Sequence, residues 1–252
     1  MQAEIIAKLL AINEEFYQRF GAAFAATRRR IQPGVQRVLQ EFIRDGDWLD
    51  LGCGSGAILT HWIQSGHKGS YSGLDFSEAL LNEAGANLSV QPAHDALEVN
   101  YVRADLLDPQ WPALVRRDRL TGVLAFASLH HLPGNSNRLN LIQQVHRLLM
   151  PGGIFVHSNW QFHNSPKMMS RVQPWSRVGL EDADVEEGDT LLDWRHTPGD
   201  QAGERGLRYV HLFQRSELAD LARQSGFTIT HEFESDGKGG NLALYQVWKK
   251  TP

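Results

Sequence analysis

The sequence predicts an α/β fold with a mostly parallel sheet that is closed by an antiparallel strand near the C-terminus. From residue 48 onward, short apolar runs alternate with helical patterns, which is typical of a parallel sheet with helices on both faces. Near the end of the chain, two strand-like runs are split by the glycine-rich segment SDGKGGN, which indicates a hairpin. We expect one domain over 1–252, with a helical cap over 1–45 and an insertion or lid over 160–206.

The individual elements follow from apolar spacing and from turn residues. The first 30 residues have the three- and four-residue apolar spacing of a helix. Pro33 can open a second helix, because proline is favoured in the first turn. Further helices are expected over 137–150 and 215–225. Strands are expected over 48–51, 71–75, 101–104, 121–127, 154–158, 228–233 and 242–248.

Residues 160–206 interrupt this alternation after the fifth strand. They are rich in polar residues and glycine and include the acidic run EDADVEEGD. A long segment without regular patterning is typically a surface loop, and often a functional one. We therefore expect a loop or lid here.

Composition and charge exclude several classes of protein. The chain has 252 residues and a formal net charge of −4, which argues against a non-specific grip on nucleic acid. No apolar run approaches the roughly 18 residues of a membrane span, and the charged N-terminus differs from a secretory signal, so we expect a cytoplasmic protein that does not bind membranes. Cys53 is the single cysteine, which excludes an internal disulfide and a multi-cysteine metal site. We expect no bound metal.

A glycine-rich turn is the most informative motif. Gly52, Gly54 and Gly56 stand at alternate positions directly after the first strand, where glycine lets the backbone approach a bound nucleotide closely. Asp75 ends the second strand, about 20 positions beyond the last of these glycines. An acidic residue at this spacing can accept hydrogen bonds from ribose hydroxyls. The motif therefore predicts an adenosine-containing ligand.

The turn by itself does not select the ligand, since Gly52, Gly54 and Ala57 also fit the looser nicotinamide or flavin fingerprint. Asp50 stands just before the turn, where its carboxylate would repel a pyrophosphate and attract an ammonium group. The turn also lacks an Arg or Lys that would balance phosphate charge. A ligand with an ammonium and a ribose but no phosphate fits these residues better, and we predict S-adenosylmethionine.

The pattern Asp-x-Gly-x-Gly-x-Gly resembles motif I of the class I methyltransferases, and the resemblance implies their Rossmann-like fold. Asp105 follows the third strand, where its carboxylate can accept a hydrogen bond from the adenine amine. Phe76 and Leu106 are expected to supply apolar faces to the adenine ring. The rest of the expected cofactor wall consists of Cys53, Ser77, Ala127 and Ser128.

The methyl acceptor is expected on the other side of the methyl donor. His130 and His131 follow the fourth strand, and a histidine there can serve as general base for a hydroxyl or amine acceptor. Trp160 ends the fifth strand, where its ring can stack on a planar substrate such as a base. Three further candidates lie beyond the core strands, namely Arg195, Arg208 and Tyr209.

Longer segments resemble a narrower family, the methyltransferases that esterify carboxymethyluridine at the tRNA wobble position, including the AlkB-homologue-type domain. The matching segments are YQRFGAAFAATRRRIQPGVQRVL, LDLGCGSG, GLDFS, ASLHHL, RLLMPGG, LLDWRHTPG and RYVHLFQRSELADL. The resemblance implies that Tyr17 and Arg28 border the cofactor and that the DWRH and RYVHLF segments lie over the active site. It also implies a small zinc-binding activator protein as a partner.

Three functions stay open at this point. The first is esterification of a carboxymethyl-type uridine in tRNA, where the carboxylate needs no general base but needs orientation by Arg28, Arg195 or Arg208. The second is methylation of a small molecule at oxygen or nitrogen, with His130 or His131 as base and the insertion as a lid. The third is cofactor binding without catalysis.

Overall fold

The computed structural model describes residues 1–26, 31–91, 94–195 and 205–251, with the backbone alone over 22–26. Its helices are α1 Ala3–Ala26, α2 Pro33–Glu41, α3 Ala57–Gln64, α4 Glu78–Ser89, α5 Asn135–Leu148, α6 Pro166–Met169 and α7 Arg215–Gln224. Its strands are β1 Gly46–Leu51, β2 Gly69–Asp75, β3 Leu97–Arg103, β4 Leu120–Phe126, β5 Leu149–Trp160, β6 Val172–Gln173, β7 Asp189–Arg195, β8 Arg205–His211, β9 Phe227–Ser235 and β10 Ala243–Lys250.

Seven of these strands form the main sheet, in the order β3-β2-β1-β4-β5-β10-β9. The first five strands along the chain pair in parallel, whereas β10 runs antiparallel to β5 and to β9. This arrangement confirms the predicted fold. The strand order reverses between β1 and β4, and ligands of open α/β sheets bind at the carboxyl ends of the strands beside such a reversal.

The core has an apolar layer on each face of this sheet. Trp48 and Tyr71 face the layer that contains α2 and α3, while Leu49 and Val123 face the layer that contains α5 and α7. This split follows from the two-residue alternation of side chains along each strand. Gly122 in β4 is required by packing, because a Cβ atom there would lie 2.2 Å from the Trp48 ring.

The segment predicted as a loop after the fifth strand instead contains strands. β6, β7 and β8 form a three-stranded antiparallel sheet, here called the small sheet. Leu191, Leu192, Tyr209 and Val210 are each fully buried in it. The expectation of a loop is wrong over these strands. The acidic run that suggested a loop is followed directly by the apolar residues of β7, and β7 pairs with β8, most of which lies beyond residue 206. The division into one domain, a cap and a lid stays a prediction.

Helix α1 lies along β8 of the small sheet. The Asn13 side chain binds the Tyr209 backbone on both sides: Oδ1 accepts from the Tyr209 amide at 2.8 Å, and Nδ2 donates to the Tyr209 carbonyl at 3.2 Å. Phe16 and Phe20 pack around Trp194. The helix therefore binds backbone groups of β8 through Asn13 and covers Trp194 of β7. None of the helices in the described ranges is both long and apolar enough to span a bilayer.

Candidate cofactor and acceptor site

A cavity of about 620 Å³ lies where β1 to β5 end and α1 passes over them. The wall includes twelve of the residues predicted from sequence: Tyr17, Gly52, Cys53, Gly54, Asp75, Phe76, Asp105, Leu106, Ala127, Ser128, His131 and Trp160. These residues are scattered along the chain, and the fold brings them together at the expected edge of the sheet. The cavity is therefore the candidate site.

The three glycines of the turn have different reasons to be glycine. All three have positive φ angles, 75°, 55° and 75° at Gly52, Gly54 and Gly56. A Cβ at Gly52 would lie 2.4 Å from the Ser128 hydroxyl, and one at Gly56 would lie 2.4 Å from the Tyr101 hydroxyl. A Cβ at Gly54 would meet nothing within 4 Å. Gly54 therefore leaves open space at the cavity wall, as a cradle for a bound cofactor requires.

Asp75 connects the turn to the start of α4. Its Oδ2 accepts from the Gly54 amide at 2.9 Å, and its Oδ1 accepts from the Ser77 amide at 2.9 Å. Burial raises the pKa of Asp75, although backbone hydrogen bonds oppose this effect. A carboxylate has about four lone-pair positions, so Asp75 can still accept from ribose hydroxyls. Ser77 itself caps α4 and does not belong to the cavity wall.

Asp50 is not where the sequence analysis placed it. The side chain is 1% exposed, its Oδ2 accepts from the Tyr71 hydroxyl at 2.6 Å, and it does not line the cavity. Strand alternation puts Asp50 on the same face of β1 as Trp48, toward the α2 and α3 layer. Burial raises the pKa of Asp50 to about 7, although the hydrogen bond from Tyr71 lowers it. The expected direct contact with a cofactor ammonium is therefore not made in this arrangement.

The adenine end of the cavity contains the predicted aromatic and acidic residues. Phe76 is 38% exposed, and the Tyr17 ring meets it edge-on at a centroid distance of 5.5 Å. Asp105 is exposed and accepts from the Leu107 amide at 2.9 Å. Arg103 also lines the wall, and its Nε donates to the Phe76 carbonyl at 3.2 Å. An exposed aromatic ring beside a carboxylate suits a planar ring with an exocyclic amine.

His131 has both ring nitrogens within reach of protein atoms. Nδ1 lies 3.1 Å from the Tyr209 carbonyl oxygen, and Nε2 lies 3.2 Å from the Tyr17 hydroxyl. A carbonyl oxygen only accepts, so Nδ1 carries the hydrogen, and in the neutral ring Nε2 accepts from Tyr17. The ring is thus held in one tautomer between α1 and β8.

The other residues predicted for catalysis stand behind the wall. His130 is fully buried, and its Nδ1 accepts from the Trp160 amide at 3.4 Å. Arg208 is 2% exposed, and its guanidinium carbon lies 4.8 Å from the Phe16 ring centroid and 5.0 Å from that of Trp160. Neither His130 nor Arg208 lines the cavity. The expected direct contact of Arg208 with the acceptor is replaced by contact with Trp160, which does line it.

Tyr209 and Arg195 are also away from the cavity. The Tyr209 hydroxyl donates to Asp189 Oδ1 at 2.7 Å, so this residue serves the site through its backbone carbonyl. Arg195 ends β7, and its Nε donates to Asp193 Oδ2 at 3.1 Å. Strand pairing explains the outcome for Tyr209, because the group of this β8 residue that reaches the site is its backbone carbonyl. Arg28 lies outside the described residues.

Sequence reasoning missed part of the wall on α1. Leu10, Asn13 and Glu14 line the cavity together with Tyr17, at the spacing of one helix face. The available signal was this stripe, in which polar residues interrupt an apolar helix pattern. Among the described residues of the wall, the acidic side chains are Glu14, Asp75 and Asp105, and the basic one is Arg103. This balance favours a positively charged ligand, as the sulfonium and ammonium groups of S-adenosylmethionine require.

Comparison with protein families decides the class. Residues 23–232 match a family described as a methyltransferase domain. The chain belongs to this family. The prediction of an S-adenosylmethionine-dependent methyltransferase is confirmed by the family and by the fold.

Individual relatives extend over nearly the whole methyltransferase chain. The tRNA (carboxymethyluridine(34)-5-O)-methyltransferase of Schizosaccharomyces pombe is 25% identical over 232 residues, which cover 88% of this chain and 91% of that one. The 1,6-didemethyltoxoflavin-N1-methyltransferase of Burkholderia thailandensis has a TM-score of 0.65 at 18% identity, covering 100% of this chain and 92% of that one. A Haloferax volcanii methyltransferase, solved with the Trm112 methyltransferase activator, has a TM-score of 0.61 at 15% identity, covering 96% and 98%.

Proposed function

We propose that this methyltransferase esterifies the carboxylate of a carboxymethyl-type modified uridine in tRNA. The observation that carries the proposal is the similarity to the fission-yeast enzyme of that name, which spans 88% of this chain and 91% of the relative. A similarity of this extent includes both the main sheet and most of the elements that surround the cavity. In this proposal the acceptor is an RNA base rather than a free metabolite.

The state of His131 supports a carboxylate acceptor. Its Nε2 is engaged by the Tyr17 hydroxyl and its Nδ1 by the Tyr209 carbonyl, so proton abstraction by this ring would first require a hydrogen bond to break. A carboxylate is already ionised at neutral pH and can attack the methyl group without a base. Its reaction depends on positioning instead.

Trp160 and Arg208 support an anionic, planar acceptor. Trp160 lines the cavity, and the buried Arg208 guanidinium lies 5.0 Å from its ring centroid. A base can stack on the Trp160 ring, and the positive charge behind that ring attracts a carboxylate. As partners we propose tRNA and, by analogy with the Haloferax complex, a small activator protein.

The test uses purified protein and S-adenosylmethionine with a labelled methyl group. Total tRNA from a strain that lacks this gene should accept label, whereas tRNA from the parent strain, already modified, should accept much less. The assay is run with and without the organism's activator protein. Label that appears only in the small-molecule extract of the deletion strain would contradict the proposal.

A second candidate is methylation of a small molecule. It is favoured by the charges on the described part of the cavity wall. Three residues there have carboxyl side chains, Glu14, Asp75 and Asp105, and Arg103 is the basic residue. Such a wall repels a polyanion and admits a neutral or basic metabolite. Here Tyr17 and His131 would form a relay that removes the acceptor's proton. The same labelling experiment separates the two candidates.

A further inference from the structure

We propose, on the basis of the function proposed above, that one end of the small sheet is a binding surface for the phosphate backbone of tRNA. This surface consists of Lys167, Arg171, Arg195 and Arg205 and is here called the basic end. It would hold the RNA that surrounds the modified nucleotide. Only that nucleotide would then have to enter the cavity, whose acidic wall repels a polyanion.

Two arginines stand opposite each other where β7 and β8 meet at this end. Arg195 and Arg205 are partners in the strand register, and like charges at opposed positions of a sheet are destabilising. The buried Asp193 offsets part of this cost, since its Oδ2 accepts from Arg195 Nε at 3.1 Å and lies 3.9 Å from Arg205 Nη1. Two guanidinium groups against one carboxylate leave an excess of positive charge. The arginine side chains are 46% and 53% exposed, so a phosphate in solvent can reach both.

The neighbouring segment extends the positive charge. Residues 161–180 include three Lys or Arg residues and no Asp or Glu. Two of the three basic residues, Lys167 and Arg171, form no ion pair with any residue that the structure describes. The Arg171 carbonyl accepts from the Asp193 amide at 2.9 Å, which places this segment beside the arginine pair. The four basic residues therefore belong to one surface.

The acidic run of the insertion lies at the other end of the small sheet. Residues 181–189 contain six Asp or Glu residues and lead into β7 at Asp189, whereas β7 ends at Arg195. A rise of roughly 3.4 Å per residue separates the two ends of this strand by about 20 Å. That separation exceeds the Debye length of about 8 Å at physiological ionic strength. The acidic run therefore opposes binding of a phosphate at the basic end only weakly.

The basic end lies beside the acceptor side of the cavity. Lys167 belongs to α6, and the next residue, Met168, packs against the apolar cluster that contains Trp160 and Leu192. Trp160 in turn lines the cavity. RNA whose modified base stacks on Trp160 would thus pass the basic end with its neighbouring phosphates. Phosphate contacts position a nucleic acid without reading its sequence, which suits a surface outside the cavity.

The experiment measures the binding of fluorescently labelled tRNA by anisotropy over a range of salt concentrations. Wild type is compared with Arg195→Gln/Arg205→Gln, and tRNA is taken from the parent strain and from the deletion strain, because backbone contacts do not depend on the modification. The double variant should bind both tRNAs about tenfold to a hundredfold more weakly. The slope of log affinity against log salt should fall by about two, one for each phosphate contact removed. Affinity for S-adenosylmethionine in calorimetry should stay unchanged, since neither arginine lines the cavity.

Two further variants separate charge from packing. Arg195→Lys/Arg205→Lys keeps both charges and should retain most of the salt slope. Arg116→Gln/Arg117→Gln is the matched control, because these arginines are also exposed and pair with Glu98 of β3, at the opposite edge of the main sheet. The control should bind tRNA as wild type does. A loss of slope in the lysine variant equal to that in the glutamine variant would contradict a role through charge.

The outcomes for this surface and for the proposed function are distinct. Equal tRNA affinity and equal slope in wild type and in Arg195→Gln/Arg205→Gln would overturn the surface and leave the esterification of tRNA in place. A loss of affinity for the activator protein instead of tRNA would overturn it as well. Binding of tRNA through the basic end without transfer of a methyl group would support the surface and contradict the proposed function.

Discussion

At the scale of single residues, the three glycines of the turn differ in the space that lies beside them. A Cβ atom at Gly52 or Gly56 would clash with the hydroxyl of Ser128 or Tyr101, respectively, whereas Gly54 faces open space at the cavity wall. The difference matters for function, since only Gly54 leaves volume that a ligand can fill.

Gly54→Ala should therefore impair cofactor binding more than stability. The left-handed backbone at φ 55° should cost about 1–2 kcal/mol in an alanine, and the new Cβ would enter the cavity. Gly66→Ala is the control, because Gly66 also has a positive φ of 71° and open space but does not line the cavity. Both variants should lose similar stability in thermal melts, and only Gly54→Ala should lose affinity for S-adenosylmethionine in calorimetry. Equal binding by the two variants would contradict this role.

Asp50 provides a prediction about pH. Its pKa is raised to about 7 in the folded protein, against about 3.9 in an unfolded chain, so the folded state holds an extra proton between these values. Stability contributed by this group therefore falls as pH rises from about 4 to 7 and stays low above 7.

Asp50→Asn removes this fall and can keep the hydrogen bond from Tyr71. The difference in free energy of unfolding between the variant and wild type should therefore shift in favour of the variant between pH 4 and pH 8. The shift should be on the order of a few kcal/mol. Asp47→Asn, on the same strand and bonded to Ser70, is the control for replacing a carboxylate by an amide on β1. Chemical denaturation at pH 4 and pH 8 gives the free energy of unfolding of both variants and of wild type. If Asp50→Asn depends on pH in the same way as wild type, the raised pKa of Asp50 is contradicted.

At the scale of elements, the small sheet and α1 complete a site that the main sheet leaves open. A buried polar network fixes the small sheet to the core. His211 lies 2.7 Å from Asp189 through Nδ1 and 3.0 Å from Glu217 through Nε2, and Arg138 pairs with Glu186 at 2.7 Å and Glu217 at 3.3 Å. Asp189 and Glu186 belong to the small-sheet segment, while Arg138 and Glu217 belong to α5 and α7.

This network should weaken in alkaline solution. Burial lowers the pKa of His211, but hydrogen bonds with Asp189 and Glu217 outweigh it, and the pKa is raised overall. The stabilisation is complete below the unfolded pKa of about 6.5 and is lost as pH rises through the folded pKa. Hydrogen exchange over β7 and β8 should therefore accelerate on the alkaline side of pH 6.5, beyond the intrinsic effect of pH.

His211→Gln should abolish that additional acceleration and raise exchange at all pH values. His231→Gln, at an exposed position on β9, is the matched control and should behave as wild type. If exchange in wild type follows the intrinsic pH effect alone, the network does not hold the small sheet through a charged histidine. We propose that the small sheet, most of which lies within 160–206, acts as the lid expected from sequence, and that α1 belongs to the helical cap expected over 1–45.

At the scale of the whole molecule, the parts that follow from local sequence periodicity could be predicted, and the parts that depend on distant pairing could not. The main sheet follows from alternating strands and helices, and the turn with Gly54 and Asp75 follows from a motif within one βαβ unit. The small sheet joins β7 to β8 across residues whose polar composition suggested a loop. Asp50 shows the limit of motif reasoning, since strand alternation directs it to Tyr71. Asn13 and Glu14 become wall residues only once α1 lies against β8.

The proposed transfer of a methyl group to a carboxylate in tRNA is tested most directly by the chemical stability of the product. After reaction with labelled S-adenosylmethionine, the tRNA is purified and exposed to mild alkali, which hydrolyses a methyl ester to methanol but leaves methyl groups on nitrogen or ether oxygen in place. The label should enter tRNA and be released from it as volatile methanol. Label that stays on the nucleosides after alkali, or that never enters tRNA, would contradict it.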